Sequence, residues 1–101
     1  MAALTRTDVH RPVPLGDRMV RVLRVTVSNL AAADEWVPTG LSFIDAILGW
    51  AAIGQAGIPD VPVFRKNAQG TGVAEGTNGG DLAIEVVTTA GTFEVTVLGK
   101  P

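Results

Sequence analysis

A chain of 101 residues can hold one compact domain with a modest core, and not two. Its eight lysines and arginines against ten aspartates and glutamates give a formal net charge of -2. The basic residues are scattered apart from Arg18, Arg21 and Arg24, so no electrostatic footprint for nucleic acid is present. Cysteine is absent, which excludes disulfides and thiolate metal sites.

Residues 1–17 show no hydrophobic periodicity, and Pro12 and Pro14 impose an extended backbone that excludes a helix. No apolar h-region occurs in residues 1–11, so a secretory signal is not expected there. We read residues 1–17 as an extended N-terminal arm, either a disordered terminus or a segment that orders against a neighbouring molecule, and residues 18–101 as a single β-sandwich domain. An extended segment has few ways of burying itself on its own domain, and ordering it costs about 1–2 kcal/mol per residue in backbone entropy.

Residues 19–27, "MVRVLRVTV", are dense in β-branched side chains and predict a strand, with Arg21 and Arg24 directed to opposite sides. Residues 28–36 read as a connection containing Trp36. The segment 40–57 is ambiguous. Leu41, Ile44, Ile47, Leu48 and Ala51 fit a helix face with a capping box at Ser42 and Asp45, while Ile44, Ala46, Leu48, Trp50 and Ala52 alternate as one strand face. Gly49 would cost a helix about 1 kcal/mol, so we predict a turn at residues 40–43 followed by a strand. The apolar stretch 41–53 is too short, and too often broken, to span a bilayer as a helix, and no membrane partner is expected.

The run "VPVFRKN" predicts an edge strand because Pro62 cannot donate to a central ladder. Residues 73–76 suggest another short strand, and Asn78, Gly79 and Gly80 a turn. Residues 82–98 alternate on both sides of Ala90 and Gly91, which predicts a β-hairpin with Val86 opposite Val95 and Ile84 opposite Val97. A four-residue loop, 88–91, would keep the faces but set Glu85 against Glu94, so the two-residue loop is preferred. The whole is an all-β chain, a small β-sandwich or barrel of about five to six strands.

Chemistry is sparse in this sequence. His10 is the only histidine, with no second histidine or cysteine to share a metal or a proton. Gly70, Gly72 and Gly76 miss the spacing of a phosphate-binding loop, and no serine sits in a nucleophile elbow. The carboxylates of Asp34, Glu35, Asp45, Asp60, Glu75, Asp81, Glu85 and Glu94 are dispersed and do not match a calcium loop. Glu85 and Glu94, near neighbours in the expected hairpin, imitate a glycosidase pair but read as solvated surface. No catalysis, metal or cofactor is expected. Pro12, Pro14 and Trp36 are the interface candidates, with Trp50 assigned to the core.

The order of features, a proline-containing arm, "LGDRMVRVLRVTVSN", a turn, "TGLSFIDAILG", a glycine-rich region and a closing "FEVTVLGK", resembles small structural proteins of tailed bacteriophage virions of the head decoration or cement type. The likeness runs from about residue 15 to residue 100. It implies a non-enzymatic β-sandwich subunit on the outer capsid surface, assembled in the host cytoplasm, with the major capsid protein and further copies of itself as partners. A head-tail connector or tail component would share these traits. A small-ligand or carbohydrate-binding sandwich would instead use Trp36 and residues 70–80. The apolar content of 47% exceeds what one small core hides, which also points to burial between subunits.

Overall fold

Strand-forming segments rich in valine, isoleucine and threonine dominate the chain, and the computed structural model places them in two packed sheets. The structure describes residues 2–3, 6–27, 35–53, 63–66, 79–85 and 91–101. The strands are β1 (Ala2–Ala3), β2 (Arg6–Asp8), β3 (Val13–Leu15), β4 (Arg18–Val27), β5 (Glu35–Pro38), β6 (Phe43–Ile53), β7 (Val63–Lys66), β8 (Asp81–Glu85) and β9 (Gly91–Lys100). Sheet A has the order β1-β5-β8-β7, and sheet B the order β2-β4-β9-β6 with β3 also on β4. Among the described residues all pairings are antiparallel except the short β1-β5 contact. The chain is an all-β sandwich, and among the described residues no helix is long and apolar enough to cross a membrane.

Alternation decides which side chains enter the core. In β4, Leu23 and Val25 point inward, and their partners Val95 and Phe93 on β9 do the same. Val97 continues that row, while Val37 of β5 and Leu82 and Ile84 of β8 supply the facing layer. Arg21 lies on the core side and Arg24 on the outer side, as the sequence predicts.

The predicted strand after residue 43 forms, but its faces differ from simple alternation. Register shifts between Ile44 and Ala46 and between Ile47 and Gly49 leave Asp45 and Leu48 as extra residues. The pairing therefore puts Ile44, Ile47, Trp50 and Ala52 on the core side, opposite Gly99, Val97, Val95 and Phe93. With buried Leu41, the inward apolar spacing is three residues over 41–50, which is why this strand imitates a helix in sequence.

Three expectations need correction. The C-terminal hairpin does not exist, because β8 belongs to sheet A and β9 to sheet B. Two strands with one apolar face each satisfy the same pattern as neighbours or as opposed layers, and here Ile84 and Val97 share one core from opposite sheets. Trp36 is not in a connection but in β5, paired with Ala83. The N-terminal arm is extended, yet it pairs with its own domain: β1 lies beside β5 in sheet A, while β2 and β3 lie beside β4 in sheet B. Short strands lose little by lacking periodicity, because backbone hydrogen bonds to a preformed edge hold them. The predicted edge strand is β7, at the border of sheet A, and the predicted strand at 73–76 lies outside the described residues.

The crossing from sheet A to sheet B, residues 39–43, is held by glycines. The amide of Thr39 donates to the Gly80 carbonyl at 3.0 Å, and its hydroxyl donates to the same oxygen at 2.6 Å. Ile44 N donates to Gly79 O at 2.8 Å, and Ser42 N to Lys100 O at 2.9 Å. Gly40, at φ +82°, makes the turn in a left-handed conformation that other residues adopt only at a cost. Gly80 and Gly99 meet the carbonyl groups of Leu41 and Phe43 so closely that no side chain fits between.

Candidate functional site

The residues named from sequence do not converge. His10 is exposed on the bend between β2 and β3, and among the described residues no three metal-ligating side chains gather. Pro12 is half-buried, and Pro14 is exposed on β3 opposite Met19. Trp36 is half-buried on the outer side of sheet A, two sheet positions from Arg65 across Ala83. Asp34, Asp60, Glu75 and the loop 70–78 lie outside the described residues. Glu85 and Glu94 sit on different sheets and do not pair.

Trp50 was expected in the core, and the structure leaves it 40% exposed. It faces inward, but β6 is an eleven-residue strand opposed by the four-residue β7 and five-residue β8, so the far end of β6 is incompletely covered. Its ring lies 5.7 Å from Phe64 and 5.8 Å from Phe93, and those two are 6.2 Å apart, with tilted and edge-to-face geometries. A tryptophan already fixed by two phenylalanines loses little freedom when a partner covers it.

The outer face of sheet B is the second feature. Val13, Val20, Leu98 and Ala46 are partners in register on four adjacent strands, forming one apolar row across the sheet. The row beyond it contains Leu15, Arg18, Lys100 and Phe43, with the Lys100 ammonium 5.9 Å from the Phe43 ring. Val13, Leu15 and Leu48 are 55%, 57% and 56% exposed, Leu48 in the second bulge at the margin. Toward the other end the face becomes polar, with Arg24 paired to Glu94 at 3.3 Å and the Thr26 and Thr92 hydroxyls in contact.

Electrostatically the described residues are nearly self-compensated. Arg18 contacts Asp45 at 2.6 Å and Asp17 at 3.0 Å, and Arg6 contacts Asp8 at 3.1 Å. Arg21 and Arg6 donate to the carbonyls of Thr39 and Pro38, so both guanidinium groups cap the Gly40 turn. Burial pushes the Asp81 carboxyl pKa up. Two features lie open to a partner among the described residues: the partly exposed Trp50 cluster and the outer face of sheet B.

Comparison with protein-family models, with curated proteins and with solved structures gave no match.

Proposed function

We propose that this chain is a structural subunit of a tailed-phage particle, a decoration or cement protein that binds the major capsid protein on the outside of the shell and carries out no catalysis. The reading rests on the order of sequence features from residue 15 to residue 100, and the observation that carries it furthest is Trp50. A partly exposed indole, held rigid between Phe64 and Phe93 on a β-sandwich, suits anchorage on a protein surface better than turnover of a substrate. A decoration subunit needs many modest contacts of this kind, because repetition over a symmetric shell multiplies their effect.

Mass spectrometry of purified particles with copy counting tests the proposal. Copy numbers on the order of hundreds support decoration, whereas about a dozen, the size of a single ring, would replace it with a connector role. Absence of the chain from particles would end the virion reading. In the same particles, Trp50→Ala should lower occupancy while the free subunit stays folded.

A further inference from the structure

We infer that the outer face of sheet B is the surface through which two copies of this chain meet, face against face. This extends the structural-subunit reading by naming a surface and its occupant, but it concerns the free protein and is tested without any capsid.

The surface is apolar where a monomer would be polar. One side of an antiparallel sheet normally faces water and alternates accordingly, as β9 does with Thr92, Glu94 and Thr96. On the half of the face nearest β3 that rule breaks: the row Val13, Val20, Leu98 and Ala46 is uninterrupted across four strands, and Leu15 adjoins it. Isolated exposed aliphatics are ordinary, but a continuous band on one sheet face marks a contact.

Extent and charge select a second copy as the occupant. Three strands of ten or eleven residues, with the short β2 and β3 together in the fourth position, at about 4.8 Å spacing and 3.3 Å rise, cover roughly 600 Å² in projection, apolar on one half and polar on the other, and side-chain relief brings the accessible area near the ~800 Å² per partner of a standard interface. A homotypic contact sets like charges against like unless each is neutralised within its own subunit. Arg18 with Asp45 and Arg24 with Glu94 meet that condition, leaving Lys100 at the margin against Phe43. Nucleic acid or an acidic peptide would need uncompensated cations here.

Other routes to self-association are less favourable. The β6 edge of sheet B carries two bulges, which disrupt the hydrogen-bond register that an added strand requires. The outer side of sheet A at β8 is already covered, since Asp81 and Ala83 are buried. Stacking of the two sheet B faces, about 10 Å apart, buries the apolar band without using any edge.

Light scattering on the full chain after size exclusion should give a mass of at least twice the 10.5 kDa protomer at tens of micromolar, roughly the range of transient dimers. The double substitution Val13→Glu with Leu15→Glu places like charges across the contact at positions more than half exposed in the subunit. It should weaken dimerisation by about 100-fold or more while leaving the thermal transition of the protomer in place. A second measurement does not depend on that variant. The chain has no cysteine, so Thr96→Cys provides a single spin-label site on the proposed face, and Lys66→Cys one on sheet A. Labels at Thr96 should yield an intermolecular distance within about 20 Å, and labels at Lys66 a longer one, given a sheet separation of about 10 Å. A monomer at every concentration would overturn the inference, as would a dimer indifferent to the double substitution or one with no short Thr96 distance. Failure to find the chain on particles would leave this result unaffected.

Discussion

Gly80→Ala places a methyl group against the carbonyl of Leu41, far inside the 3.0 Å that real Cβ atoms respect. Neither side can yield easily. Gly80 O accepts both the amide and the hydroxyl of Thr39, and Ile44 and Ser42 are tied to Gly79 in the turn before β8 and to Lys100 of β9. Moving the crossing outward would weaken the two Thr39 bonds, each worth about 1 kcal/mol. It would also strain a packed backbone, at a typical cost of about 1–3 kcal/mol. The expected loss of about 3–5 kcal/mol is a large share of the ~5–15 kcal/mol that stabilises a domain of this size. The melting temperature should fall by roughly 15–25 °C. Urea unfolding followed by tryptophan fluorescence measures the loss, with Gly49→Ala as the reference, because a Cβ there meets nothing within 4 Å. If both variants unfold at the same urea concentration, the crossing is not held as described.

Val95→Asp should abolish the cooperative transition, since Val95 is fully buried between Leu23 and Trp50 in register and an unpaired carboxylate there costs several kcal/mol; a circular-dichroism melt near that of the parent would remove β9 from the core. Burial raises the Asp81 pKa above 3.8, so its contribution to stability is fully present below that value and is lost as pH rises through the raised value. Asp81→Asn should therefore melt higher than the parent at pH 7, with the gain fading toward pH 3; a difference constant across pH would contradict the buried, ionisable carboxylate. Arg21→Met should cost about 1.5–3 kcal/mol in chemical denaturation through loss of the 2.8 Å charged hydrogen bond to Thr39 O, and an unchanged midpoint would count against that bond. Deletion of residues 1–15 removes β1, β2 and β3 and bares the edges of β4 and β5, so the truncated chain should aggregate or lose cooperativity; a soluble, well-folded product would restore the free-arm interpretation.

The all-β class and the strands β4, β6, β7 and β9 were legible in the sequence because β-branched density and alternation are local signals. What was hidden depends on relations between distant segments. Alternation in residues 82–98 identifies apolar faces correctly in Phe93, Val95 and Val97, but it carries no information on whether Ile84 lies beside them or across from them. The pair of bulges at Asp45 and Leu48 altered the inward set of β6, and no residue type announces a bulge in advance. Pro12 and Pro14 gave the extended conformation, while the edge of β4 that receives Val13–Leu15 is a tertiary fact. Trp50 departs from its expected core position for a related reason. Trp50 stands in an apolar run, but the strands opposing it are short, whereas Trp36, beside charged residues in sequence, pairs with the buried Ala83.

The central position of β9 bears on how the chain reaches its fold during synthesis. β9 is flanked by β4 on one side and β6 on the other, so these two cannot be joined in sheet B until residues 91–100 have left the ribosome. Contacts such as Arg24 with Glu94 close loops of 70 residues, and closure over such separations is slow compared with a local hairpin. The nascent chain must therefore carry β4 and β6, its longest early strands, without their shared partner. The arginines of β4 then serve a second purpose, since their charges make this waiting strand a poor template for pairing with other unfinished chains.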